Sequence, residues 1–160
     1  MSLKNNLIVL LNGEIPLDIV RENNIVLSKE KLDLTFNHNL LQIEYENIED
    51  IVKADLIISQ EFTRIDSLVI INNHIDLNML SYQYNFEHYN KVYIVLSNLI
   101  FLINGLIKLF DTKIEVHLIL EKDHHFKIHQ NNLNQSINNY LNTLKQDLKG
   151  SVNLEIKKLN

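Results

Sequence analysis

Three stretches of this chain end in residues that could do chemistry together. Asn12 and Glu14 follow the apolar run 7–11. Ser59, Gln60 and Glu61, then Arg64 and Asp66, follow the run 56–58. Ser97 and Asn98 follow the run 92–96. If these runs are parallel strands, their polar ends converge on one edge, where open α/β sheets bind ligands. Arg64 carries most weight there, because the only other arginine is Arg21 and a guanidinium grips an anion as a fork. Glu14 or Glu61 beside it would act as a general base, provided it reaches the substrate proton directly or through one water. The same residues have an ordinary reading. Loops face solvent, Ser and Asn cap helices, and Arg64 can pair Asp66 or Glu61.

Histidine makes the second group: His117, His124, His125 and His129. Glu115 and His117 alternate with Val116 and Leu118, as on a strand with one buried face. Phe126 and Ile128 continue the alternation after a polar turn. In a hairpin, keeping apolar faces together requires paired residue numbers to sum to an even value. That sets His129 opposite His117 or Glu115. Glu115, His117 and His129 then form a weak candidate metal set, at the three-ligand minimum for zinc. A solvated strand face explains them without a metal, and no cofactor is expected.

The elements that must carry these groups are read from periodicity. Strands are expected at 7–11, 32–36, 41–45, 56–59, 67–71, 91–96, 114–120 and 152–156, with 126–128 pairing back on 114–120. The pairs 32–36/41–45 and 114–120/126–128 read as hairpins. Helices are expected at 16–22, 47–53, 76–89, 99–110 and 133–148, with Gly150 ending the last one as a left-handed residue. The stretch KVYIVLSNLIFLINGLIKLF, 91–110, is the most apolar. Ser97, Asn98, Asn104 and Gly105 interrupt it, so a buried strand, a turn and a helix are expected there rather than a membrane span. The fold class is α/β: a single domain over 1–160, a mixed sheet with parallel central strands, flanking helices and antiparallel hairpin additions.

Residues 47–59, NIEDIVKADLIIS, resemble the helix-then-strand piece of sugar-phosphotransferase IIB-type domains. Those domains carry a phosphorylated cysteine after the first strand. The matching place here is Asn12-Gly13, so the resemblance implies a regulatory module without that chemistry.

Composition excludes whole classes. There is no cysteine, hence no thiol nucleophile, thiolate metal site or disulfide. The net charge is −5 and the lysines are scattered, which argues against a nucleic-acid partner. Three glycines cannot spell G-x-G-x-x-G or a P-loop, and neither G-x-S-x-G nor H-E-x-x-H occurs. The N-terminus shows no cleavable signal, so a cytoplasmic protein is expected. The expectation is a non-catalytic α/β domain binding a protein partner or a small ligand. The alternative is a small hydrolase or transferase acting on an anionic small molecule at the carboxyl edge. The final strand is expected at a sheet edge, open to pairing in a homodimer.

Overall fold

The structure is a computed structural model, and it describes residues 5–12, 15–16, 24–28, 41–44, 48–72, 86–120 and 127–159. The strands are β1 (Asn6–Asn12), β2 (Asn24–Ser28), β3 (Leu41–Glu44), β4 (Ile65–Asn72), β5 (Phe110–Leu120) and β6 (Asn153–Leu159). The helices are α1 (Ile48–Glu61), α2 (Phe86–Leu106) and α3 (Lys127–Asp147), with a short 3-10 turn, Ile107–Leu109, between α2 and β5. The strands form one sheet in the order β3-β2-β1-β4-β5-β6.

Every neighbouring pair in that sheet is parallel. This corrects the expected antiparallel additions. α1, α2 and α3 each lie between successive strands in the chain, and a helical crossover returns the backbone to run the same way as its neighbour. Residues 41–44 do form a strand, but it pairs parallel to β2. The expected partner 32–36 lies outside the described residues, as do the expected helix 16–22 beyond Pro16 and most of 76–89.

Strands buried on both faces need cover on both sides. On one face Leu7, Val9, Ile25, Leu27, Leu68, Ile70, Val116 and Leu118 pack with side chains of all three helices. Ile51, Ala54 and Ile58 come from α1, Leu99, Leu102, Ile103 and Leu106 from α2, and Ile137, Leu141 and Leu144 from α3. On the other face Ile8, Leu10, Val26, Val69 and Ile71 cluster, with Ile15 and Ile119 against them. At the amino edge polar side chains tie the strands together. Asn6 donates to Asn24 Oδ1 at 2.9 Å, and Ser67 donates to Asn6 Oδ1 at 2.7 Å.

Three expected strands are helix instead. Residues 91–96 lie inside α2. α2 touches both α1 and α3 and also packs into the sheet-side core. Its apolar side chains are not confined to those contacts, since Ile94 and Phe101 are exposed, and a helix apolar on several sides mimics a two-faced buried strand. No helix among the described residues is long and apolar enough to cross a membrane. Residues 56–59 lie in α1, which also ends the resemblance built on a helix followed by a strand at 47–59. The misleading residues there are exposed: Val52, Leu56 and Ile57 face outward while Ile51, Ala54 and Ile58 face the sheet. Residues 127 and 128 open α3, so the expected return strand at 126–128 is absent. Gly150 does take a left-handed conformation, with φ 99°, just after that helix.

Burial separates these readings by experiment. Ile70 is fully buried in β4, and Ile70→Ala should cost about 2–5 kcal/mol in urea unfolding. Leu56 is 60% exposed on α1, and Leu56→Ala should stay within about 0.5 kcal/mol of the parent. Equal losses at the two positions would put Leu56 in a core and reject its helical placement.

Candidate functional site

The strand order turns at β1. From there the chain builds β2 and β3 on one side, then β4, β5 and β6 on the other. The carboxyl ends of β1 and β4 diverge into a crevice at such a switch point, and ligands of open α/β sheets sit there. Asn12 ends β1 and is registered beside Asn72, which ends β4. Ser28 ends β2 and is 1% exposed. Asn72 is itself buried, and its amide donates to Asn134 Oδ1 at 3.0 Å. Asn134 is two turns into α3 and also buried. This bond spans 62 residues of sequence and ties helix α3 to the floor of the crevice. Asn72 keeps a carbonyl oxygen and Asn134 an amino group outside their mutual bond, so the pair can offer a ligand one acceptor and one donor.

Of the described residues expected at this edge, only Asn12 is placed there. Glu14 lies outside the described residues. Ser59 and Glu61 lie in the last turn of α1, and Arg64 directly precedes β4. These three are therefore at the amino edge. β4 has 8 residues and so separates the two edges by roughly 25 Å. No base at one edge serves a substrate at the other. Arg64 pairs Asp66 at 3.3 Å and Asp111 at 3.9 Å, and its carbonyl accepts from the Asn5 amide at 2.8 Å. Ser59 donates to Asp55 Oδ1 at 3.4 Å, within its own helix. Ser97 and Asn98 are mid-helix, and Asn98 is buried. The grouping failed because two of its three apolar runs are helices, and helices run opposite to the strands.

The histidine set also separates. His117 and Glu115 are on β5 and point to the face carrying Ile119, away from Val116 and Leu118. His129 is in the first turn of α3, a helix packed on the opposite face. His117 Nε2 lies 3.2 Å from Glu115 Oε2, and Lys157 Nζ reaches Glu115 Oε1 at 3.3 Å. No group of three metal-ligating side chains occurs among the described residues.

Sequence comparison identifies nothing: no protein-family model and no curated protein matches the chain. Structural comparison finds a likeness of fold. The chain is similar in fold to short-chain dehydrogenase/reductases. One such protein from Francisella tularensis superposes with a TM-score of 0.68 at 14% identity, over 91% of this chain and 64% of that one. A short-chain dehydrogenase/reductase from Brucella melitensis gives 0.71 at 12%, over 96% and 74%. The Bacillus cereus enoyl-acyl carrier protein reductase, solved with NADP+, gives 0.65 at 12%, over 96% and 70%. The chain thus spans less than two thirds of the length of the first of these. The expectation of a non-catalytic binding domain is corrected on this finding, since the similar structures just named are dehydrogenases and reductases. The alternative of a hydrolase or transferase at the carboxyl edge loses its anion anchor, since Arg64 lies at the amino edge.

One of these structures holds NADP+, and the residues after β1 of this chain can be compared with a dinucleotide-binding turn. The dinucleotide fingerprint uses three glycines: one for a tight turn, one for close backbone approach to the pyrophosphate, and one for helix–strand packing. Here Gly13 stands alone, in Asn12-Gly13-Glu14-Ile15-Pro16. The Ile15 side chain packs against the cluster of Ile8, Leu10, Val26, Val69 and Ile71. These residues do not fit a glycine cradle around a pyrophosphate.

Beyond Asn134 on the same helix, Tyr140 donates to Asn104 Oδ1 at 2.7 Å, joining α3 to α2. Burial pushes its phenol up from 10.0 to about 12. The neutral form is therefore favoured by folding, and the unfolded chain gives up this proton first. The stability tied to it is complete below pH 10 and is lost as pH rises towards 12. A phenolate absorbance titration of the 6 tyrosines should show a late component that Tyr140→Phe removes. A Tyr140→Phe trace identical to the parent's above pH 11 would place the late proton elsewhere.

Proposed function

We propose that this chain is an oxidoreductase-type domain that binds a nucleotide in the crevice between β1 and β4. The ligand is held through base and sugar rather than through a glycine cradle at a pyrophosphate. The observation that carries this reading is the reversal of strand order at β1, with Asn12 and Asn72 side by side at the carboxyl edge. The order β3-β2-β1-β4-β5-β6 matches the one that places dinucleotides across such a crevice. Likeness to dehydrogenases and reductases, one of them solved with NADP+, supports the choice of ligand class. The buried Asn72–Asn134 pair supplies polar contacts without charge, which suits a ribose hydroxyl or a base edge more than a phosphate.

The sequence after β1 lacks the glycines that normally orient such a cofactor through its phosphates. What the chain's own residues contribute is a crevice floor. Asn134 fixes the Asn72 amide, so the amide does not reorganise when a ligand arrives.

Calorimetric titration with adenosine, ADP, NADH and NADPH tests the reading. Adenosine and ADP are expected to bind within about threefold of each other, because the pyrophosphate adds little without its cradle. Asn72→Leu should weaken all of them by about tenfold or more, since the change leaves Asn134 without its donor. Lack of binding by all four ligands would end the nucleotide reading, and a gain of a hundredfold or so from adenosine to ADP would end the claim about the cradle.

A further inference from the structure

β6 ends the sheet, and among the described residues its neighbour is β5 alone. An edge strand offers a row of backbone donors and acceptors to another strand. Which strand fits is written in its side chains. Glu155 and Lys157 share one face of β6, while Leu154, Ile156 and Lys158 share the other. Within the chain Lys113 meets Glu155 at 3.8 Å, and Glu115 meets Lys157 at 3.3 Å.

We propose that β6 pairs antiparallel with β6 of a second copy, about a two-fold axis at Ile156, joining two sheets into one. In such an isologous pair the opposed residue numbers have a fixed sum, and matching faces makes that sum even. An axis at Glu155 sets that carboxylate against itself. An axis at Lys157 sets ammonium against ammonium. Like charges directly opposed are destabilising. The axis at Ile156 instead sets Glu155 opposite the partner's Lys157, twice over by symmetry.

With the bonds already present in each chain, four charges then cross the seam in alternating sign: Lys113, Glu155, the partner's Lys157 and the partner's Glu115. On the other face the two Ile156 side chains meet at the axis, each already packed against the helix-side core. β6 has 7 residues, a seam smaller than the roughly 800 Å² per partner of a standard interface. The dimer is accordingly a concentration-dependent one. It stands independently of the nucleotide reading, since its measurement is mass rather than ligand affinity.

Sedimentation of the full chain, from low micromolar to near-millimolar concentration, tests it. The parent is expected to pass from monomer to dimer across that range. Glu155→Lys alone and Lys157→Glu alone should each weaken self-association by about tenfold or more, because each opposes like charges at the seam. An equimolar mixture of the two variants should recover the dimer, one chain then carrying two lysines and the other two glutamates. Where a reversal lowers the melting temperature, Glu155→Gln and Lys157→Gln replace it and should weaken association by a smaller factor. A parent that stays monomeric throughout overturns the proposal. So does a dimer that neither variant weakens, or a mixture that fails to associate.

Discussion

Burial of β1 and β4 on both faces is the constraint from which the rest of the molecule follows. Leu7, Ile8 and Val9 in β1 and Leu68, Val69, Ile70 and Ile71 in β4 are each no more than 3% exposed. A strand pair with two apolar faces is stable only inside a sheet covered on both sides. Covering one side with the helices that connect successive strands makes those strands parallel. Starting from the centre and building outward both ways leaves a crevice at the carboxyl edge. The position of the site is thus a by-product of how the central pair is hidden from water.

The helical layer meets a second constraint, in the approach of α2 to α1. A Cβ added at Gly105 would lie 3.2 Å from Asp55 Oδ2. That carboxylate also accepts from Ser59 and faces Lys108 Nζ at 3.8 Å. Glycine weakens a helix interior by roughly 0.5–1 kcal/mol relative to alanine. An alanine at this position would need that carboxylate to give by a few tenths of an ångström.

Much of the sheet was legible in the sequence, and much of the helical layer was not. The runs 7–11, 67–71, 114–120 and 152–156 are strands, because each is short and bounded by polar residues. The amphipathic stripe Ile137, Leu141, Leu144 reads correctly as helix, since its polar face is plain. β2 passed unnoticed, its apolar run being just Ile25, Val26 and Leu27 between polar neighbours. α2 and the end of α1 failed for a shared reason: each is apolar on an exposed side as well as a buried one, at Ile94 and Phe101 on α2 and at Leu56 on α1. Periodicity infers burial from apolarity and has no means of separating these cases. At the site, Asn12 was legible as the end of a strand. Asn72 ends another strand that was read correctly, and that was the signal available. Asn134 had none, because in a chain rich in asparagine nothing marks the one that reaches across to β4.

The asparagines of the amino edge carry information that the apolar strands lack. Leu7-Ile8-Val9, Ile25-Val26-Leu27 and Leu68-Val69-Ile70 are so alike that sliding one past another by two residues would still leave grease facing grease. Such a slip would move Asn6 away from both Asn24 and Ser67, its partners in the observed alignment, and strand the buried Asn6 and Asn24 amides without each other. The hydrophobic run therefore selects which face is buried, while three polar side chains at its base act as the keyway that admits a single axial alignment.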